Sequence, residues 1–139
     1  MKFNEARKIV EHNKQFEKVI ARMVTTMGVE ALNHFVKSFP DQGFTDESLV
    51  RWKPRKRMAR KERGKPFRGI LIQSGALWRS PKKRNLGRYA VVISSDLPYA
   101  KRQNDGGGGI VPRKFIGYSG ALNRRIISRF DKQIKSVIK

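Results

Sequence analysis

Tyr89-Ala90-Val91-Val92-Ile93-Ser94 decides the fold class, because it is the clearest strand in a chain with helical patterns at both ends. Its β-branched residues are typical of strands, and turn-favouring residues bound it at Gly87 and Asp96. Residues 110–118 are predicted to form a second strand, which begins after or around Pro112. The two segments together indicate a small antiparallel sheet.

A helical pattern precedes the sheet. Its apolar residues Ile9, Phe16, Ile20, Met23 and Met27 are spaced by seven, four, three and four residues, which places them on one helix face. Gly28 interrupts the pattern, and the apolar stripe then resumes with Leu32, Phe35, Val36 and Phe39. Pro-Asp-Gln-Gly at residues 40–43 ends it. We predict two helices here, or one long helix bent at Gly28.

A second helical pattern closes the chain. Ser119 is a favourable N-cap for this final helix. Its predicted inner side carries Leu122, Ile126, Ile127, Phe130, Ile134, Val137 and Ile138, and its predicted outer side carries Arg124, Arg125, Arg129, Lys132 and Lys135.

Shorter motifs lie between the strand and the two ends. Residues 74–77, Ser-Gly-Ala-Leu, also have the pattern of a capped helix start. The same four residue types recur at residues 119–122. Residues 81–87 are predicted to form a basic turn. Pro98 fits the first turn of a short helix, and residues 106–109, four glycines, form a loop that lacks the pattern of a phosphate-binding loop.

These elements indicate an α+β fold with an N-terminal helix pair, a small antiparallel sheet, a long basic loop and a C-terminal helix. A chain of 139 residues suits one domain. We divide residues 1–139 into a neutral helical part (residues 1–43), a basic loop (residues 44–68) and a basic α+β part (residues 69–139).

Positive charge is concentrated after residue 50. Residues 1–50 hold seven basic and seven acidic residues, whereas residues 51–139 hold 25 basic and four acidic residues, which accounts for the whole net charge of +21. Such asymmetry indicates a part built for packing, joined to a part that faces a polyanion or an acidic protein surface.

The densest stretch is residues 51–68, called here the basic segment. Three interpretations stay open for it: a solvated arm, contact with nucleic-acid phosphates, or docking on an acidic protein surface. Its candidate contact residues are Arg51, Lys53, Arg55, Lys56, Arg57, Arg60, Lys61, Arg63, Lys65 and Arg68.

No catalytic, cofactor or metal site is predicted. The chain has no cysteine, its two histidines His12 and His34 lack companions at ligand spacing, and the acids of the basic half form no cluster. We therefore expect no enzyme activity and no bound cofactor or metal. The N-terminus lacks the pattern of a signal peptide, no window has the length of a membrane span, and synthesis in the cytosol is expected.

Three stretches in a fixed order resemble one protein family. Residues 70–80, Ile-Leu-Ile-Gln-Ser-Gly-Ala-Leu-Trp-Arg-Ser, come first; Val91-Val92-Ile93 with Pro98-Tyr99-Ala100 and the glycine loop come next; residues 111–117, Val-Pro-Arg-Lys-Phe-Ile-Gly, come last. Together they resemble the virion morphogenesis (tail completion) proteins of tailed phages, such as the Mu-like tail completion family. The similarity covers roughly residues 35–130, and Trp52 fits its pattern.

The resemblance implies a small α+β protein that forms a ring at the head–tail junction and has no catalytic role. It implies a virion location after assembly in the host cytoplasm, with neighbouring neck or tail proteins as partners and non-specific DNA contact as a possibility. The motif residues become structural: Ser74 caps, Gly75 permits close packing, and Leu77, Tyr99 and Phe115 fill the core. Pro112 and Arg113 complete the motif. The alternative is a stand-alone basic nucleic-acid-binding protein.

Overall fold

The computed structural model describes residues 3–56 and 69–138. In these residues the chain forms, in order, α1 (Phe3–Asp41), β1 (Gly43–Thr45), β2 (Leu49–Arg51), β3 (Pro81–Leu86), β4 (Ala90–Ser95), α2 (Ala100–Asp105) and α3 (Gly120–Val137). Long helices at both ends and small antiparallel sheets between them confirm the predicted α+β class.

Of the two alternatives predicted for the N-terminal part, the helix pair is wrong and the single long helix is confirmed, because α1 is one helix of 39 residues that continues through Gly28. Gly28 is buried, and the space beside its Cα is filled by side chains of β3 and β4. The missing side chain therefore serves close packing rather than a break between helices. The helix ends at Asp41, and Gln42 then adopts a left-handed conformation with φ 53°.

The strands pair as two separate antiparallel hairpins. β1 pairs with β2 from Gly43↔Arg51 to Thr45↔Leu49, so the predicted basic loop begins as a hairpin. β4 confirms the predicted strand, and it pairs with β3 from Pro81↔Ser95 to Leu86↔Ala90. The prediction of a basic turn at residues 81–87 was wrong because β3 is exposed along most of its length. An exposed strand tolerates cations that hide its strand pattern.

The predicted strand at residues 110–118 does not form, because α2 satisfies the backbone of this segment. Gln103 O accepts from the backbone N of Arg113 at 2.9 Å. The Oδ1 atom of Asn104 accepts from the backbone N of Phe115 at 2.8 Å and of Ile116 at 2.9 Å, and its Nδ2 donates to Ile116 O at 3.0 Å. One side chain thus takes the place of a neighbouring strand.

The repeated Ser-Gly-Ala-Leu motif adopts two different structures. Ser119 caps α3 as predicted, and its Oγ accepts from Leu122 N at 3.1 Å. At Ser74 the prediction was wrong: Oγ accepts only locally, from Ala76 N at 3.3 Å, and the segment forms a single turn instead of a helix. The short helix expected after Pro98 is present as α2.

One apolar cluster joins the middle of the chain to the end of α1. It consists of the buried residues Phe39, Trp52, Ile70, Leu77, Ala100 and Phe115. Phe39 lies at its centre, with ring centroids 5.6 Å from Trp52 and 5.2 Å from Phe115. A second cluster, formed by Phe35, Phe44 and Leu122, attaches α3 to α1 and β1.

The apolar side chains of α3 are less buried than its sequence predicts. Leu122 is buried and Ile126 is partly buried, but Ile127 is 57% exposed and Ile138 is 69% exposed. The expectation that both of these isoleucines lie on the inner side was wrong for this chain. Among the described residues, no helix has the length and hydropathy needed to cross a membrane.

Candidate docking surface

The structure describes the first part of the basic segment. Arg51, Lys53 and Lys56 are exposed and Arg55 is partly buried. The remaining candidate contact residues lie outside the described part of the chain: Arg57, Arg60, Lys61, Arg63, Lys65 and Arg68.

Trp52 fixes the direction of the basic segment as it leaves β2. Its ring is buried, its backbone N donates to Gln42 O at 2.8 Å, and its Nε1 donates to Lys114 O at 2.8 Å. Because neighbouring residues of an extended chain point to opposite sides, a buried Trp52 leaves Arg51 and Lys53 facing outward. The two exposed cations Arg51 and Lys53 therefore flank the buried ring of Trp52.

Gln42 links the start of the basic segment, at Trp52, to Ile70, which lies two residues beyond the segment. Its Oε1 accepts from the backbone N of Ile70 at 2.5 Å, and its Nε2 donates to Ile70 O at 3.2 Å. The side chain therefore binds one residue's backbone as a paired strand does, while the Gln42 main chain binds Trp52. Sequence reasoning did not identify this residue. In the sequence, the signal for this role of Gln42 was a polar side chain directly after the end of the predicted helix.

Arg113 is oriented by a backbone carbonyl. Its Nε and Nη2 atoms donate to Lys53 O at 3.2 Å and 3.1 Å, so the motif at residues 111–117 joins the basic segment. Burial and then the like charge of Arg55 lower the pKa of the Arg113 guanidinium. Pro112, next to it, is exposed. The two arginines thus form a concentrated positive centre where motif and basic segment meet.

A cavity of about 630 Å³ opens at this positive centre. Its described lining includes Arg55, Lys56, Leu71, Leu77, Tyr99 and Arg113, and we call it the Arg113 cavity. The volume lies in the range of ordinary ligand pockets. Cations and apolar side chains therefore face one shared space.

The motif residues divide between core and surface. Leu77 is 4% and Phe115 1% exposed, while Gly75 is buried with φ 72° and the Arg79 side chain folded against it. The expectation that Tyr99 fills the core is wrong, because Tyr99 is 44% exposed and lines the Arg113 cavity. Ser74 is exposed and caps no α-helix. The motif thus builds a wall of the cavity as well as the core.

Ion pairs with acids of the neutral half take up much of the charge on the outer side of α3. Arg129 Nε lies 2.8 Å from Glu30 Oε1 in α1, and Arg124 Nη2 lies 2.5 Å from Glu47 Oε2 between β1 and β2. The hydrogen bond from Arg124 lowers the pKa of the Glu47 carboxyl. These pairs neutralise part of the positive charge on the outer side of α3.

His34 is a structural residue between α1, β1 and α3. Its Nε2 donates to Thr45 O at 2.9 Å and its Nδ1 accepts from Arg125 Nη2 at 3.2 Å, which requires a neutral ring. Across residues 3–56 and 69–138, no group of three or more His, Cys, Asp or Glu side chains is placed to hold a metal ion.

Comparison of the chain with protein-family models, with curated proteins and with solved structures finds no significant match.

Proposed function

We propose that this chain is a structural assembly protein of a tailed phage, which acts in a ring at the head–tail junction. It functions by binding other proteins: apolar contacts join the subunits, and the basic segment docks on neighbouring neck or tail proteins. The observation that carries the proposal is the convergence of the family-like stretches on a single core. Trp52, Ile70, Leu77, Ala100 and Phe115 come from four separate parts of the sequence and pack in one cluster.

This convergence supports the resemblance because the motifs were identified by order and spacing alone. Leu77, Ala100 and Phe115 belong to one cluster with Phe39. A shared fold accounts for this, because residues that recur together in a family pattern are often those that fill one core.

The start of α1 supports assembly. From residue 7 to residue 15 every side chain is exposed, and Met23 is the first fully buried side chain after residue 7. Ile9 is 50% and Val10 51% exposed on this projecting part. An isolated helix of such length is marginal in water. A neighbouring subunit that packs against Ile9 and Val10 accounts for a helix that the rest of the chain leaves bare.

The alternative is a stand-alone nucleic-acid-binding protein, favoured by the net charge of +21. The two functions differ in their response to salt. Phosphate binding weakens steeply as salt rises because bound counterions are released on association. Apolar contact between subunits persists, and screening also reduces the repulsion between basic copies.

Sedimentation velocity of the full chain at about 0.15 M and about 1 M salt separates these functions. We expect a discrete oligomer that persists or grows at high salt, visible as rings by negative-stain electron microscopy. A chain that stays monomeric at both salt concentrations, while binding duplex DNA tightly at low salt alone, contradicts the proposal and favours the alternative.

A pair of matched variants tests the packing surface. Ile9→Asp places a charge on the exposed apolar part of α1, and Gln15→Asp adds the same charge at an exposed polar position on another face of that helix. We expect Ile9→Asp to dissociate the oligomer and Gln15→Asp to leave it intact, with the same helix content by circular dichroism. Equal oligomerisation of both variants places the subunit contact elsewhere.

A further inference from the structure

The side chains that line the Arg113 cavity indicate the chemistry of the docking partner. The cavity combines three cationic side chains, Arg55, Lys56 and Arg113, with an apolar wall. Among its described lining residues none is acidic. Like charges that converge on one space repel each other, and a bound anion relieves that repulsion.

Arg113 has the geometry of an anion ligand. The Lys53 carbonyl accepts from its Nε and Nη2 atoms, which fixes the plane of the guanidinium. A carbonyl is a neutral acceptor, so it orients the group without neutralising it. No described carboxylate lies within ion-pair distance of Arg113, and the pKa of its guanidinium is lowered by burial and by Arg55. The guanidinium of Arg113 is therefore oriented, partly buried and not paired with a described carboxylate.

The wall beside the cations is mainly aliphatic. Leu77 is buried at its base, and Leu71 lines it in a left-handed conformation with φ 63°. A bulky residue with positive φ is uncommon and is held there by its surroundings. Tyr99, 44% exposed, completes the rim. The cavity thus offers an apolar surface within reach of fixed cations.

We propose that the Arg113 cavity binds an acidic peptide segment of a partner protein. A carboxylate of that segment pairs with Arg113, as arginine and carboxylate commonly do, and an adjacent apolar side chain packs on Leu71 and Leu77. This assignment rests on the proposed function for the partner's identity as a virion protein, although the peptide chemistry follows from the cavity.

A peptide fits the cavity better than a nucleic acid does. Single-stranded nucleic acids stack their bases on aromatic side chains, and Tyr99 is the one aromatic residue among the described lining. Duplex DNA offers phosphates but no apolar side chain, so it leaves the apolar wall of Leu71 and Leu77 uncovered. An extended peptide places neighbouring side chains on opposite sides of its backbone, so one segment supplies a carboxylate and an apolar side chain together.

A second copy of this chain is a poor source of the segment. Seven of its acidic side chains already form ion pairs with basic side chains of the same chain: Glu17, Glu30, Asp41, Glu47, Asp96, Asp105 and Asp131. Each copy also carries a net charge of +21, so an acidic partner gains from electrostatic attraction that another copy does not offer.

The test uses NMR titration of the isotope-labelled full chain with two peptides. The probe is acetyl-Glu-Leu-Asp-Leu-Glu-amide, and the control is its uncharged counterpart acetyl-Gln-Leu-Asn-Leu-Gln-amide. We expect the acidic peptide to shift the backbone amides of Leu71, Leu77 and Val111, and the uncharged peptide to bind about tenfold more weakly or worse. Inorganic phosphate and oligothymidylate are titrated in parallel.

Three variants identify the cations. Arg113→Gln is expected to weaken the acidic peptide about tenfold. Lys56→Gln removes an exposed lining cation with no structural contact among those described, and a severalfold loss is expected even if Arg113→Gln affects folding. Arg84→Gln removes the same charge from an exposed position of β3 that does not line the cavity, and binding is expected to stay unchanged.

Equal weakening by all three variants overturns the proposal, as do equal shifts with the uncharged peptide. Tighter binding of phosphate or oligothymidylate at the same amides assigns the cavity to phosphate and also overturns it. Sedimentation separates this failure from that of the proposed function: an intact ring without peptide binding rejects the cavity assignment alone, whereas peptide binding by a permanent monomer rejects the ring.

Discussion

Gly28 of α1 lies directly against Val91 of β4: a Cβ atom built on Gly28 stands 2.6 Å from Val91 Cγ2 and 2.7 Å from Lys83 Cδ. Helix and hairpin approach so closely that no other residue fits without movement. Lys83 has a flexible side chain, but the methyl of Val91 is attached close to the backbone of β4. The glycine that interrupts the apolar pattern of the sequence is therefore the contact point of two elements.

Gly28→Ala is expected to destabilise the protein by about 1–3 kcal/mol through overpacking. Alanine raises helix propensity by about 1 kcal/mol, which offsets part of this loss. Urea denaturation measures the change. Val91→Ala in the same chain removes the clashing methyl, so the double variant is expected to recover the loss caused by Gly28→Ala. Additive effects of the two substitutions would show that the contact is absent.

The free energy of unfolding is expected to decrease as the pH is lowered, because His34 is buried in its neutral form. Burial, partly offset by the hydrogen bond to Thr45, lowers the pKa of His34 below its ordinary 6.5. Between the lowered pKa of His34 in the folded chain and 6.5, the unfolded chain therefore binds more protons than the folded chain. The contribution of neutral His34 is fully present above pH 6.5 and is lost as the pH falls through the lowered pKa.

Urea midpoints between about pH 7.5 and about pH 5 measure this dependence. His34→Gln is expected to flatten the decline below pH 6.5, because the titrating group is gone. His12→Gln, at an exposed position of α1, is expected to leave the decline unchanged. Parallel curves for the wild type and His34→Gln contradict this role.

The two serines of the repeated motif are expected to differ in their contribution to stability. Ser119→Ala removes the cap of α3 and the hydrogen bond that Oγ donates to Thr45 O at 2.9 Å, at a cost of about 1–2 kcal/mol. Ser74→Ala removes an exposed local contact, with an effect within about 0.5 kcal/mol. Thermal unfolding of the two variants checks the difference, and equal losses would contradict it.

Asn104→Ala is expected to cost about 1–3 kcal/mol, because it leaves partly buried backbone groups of Phe115 and Ile116 without their Asn104 partner. Asn104→Asp keeps the acceptor Oδ1 but loses the donor to Ile116 O, so an intermediate loss is expected. Arg102→Ala in the same helix changes an exposed side chain and serves as the control. Equal denaturation midpoints for the wild type and Asn104→Ala exclude this bracing role.

The candidate site could be predicted in part. Its charge follows from composition, and Arg55 and Lys56 were candidate contact residues, whereas Arg113 was predicted only as a structural residue of the motif. Their meeting at one cavity with Leu71 was not predictable, because about 60 residues of chain separate Lys53 from the arginine that binds its carbonyl. No local pattern records which distant side chain will arrive at a given carbonyl.

Sequence alone determined the elements that depend on local periodicity and propensity. The apolar stripes predict α1 and α3, and the β-branched run predicts β4, because each pattern acts over neighbouring residues of one element. Tertiary structure alone decided the role of Gly28, the backbone bracing by Asn104 and the different conformations of Ser74 and Ser119. In each of these cases the deciding contact or hydrogen bond comes from residues elsewhere in the fold, so identical local sequences reach different structures.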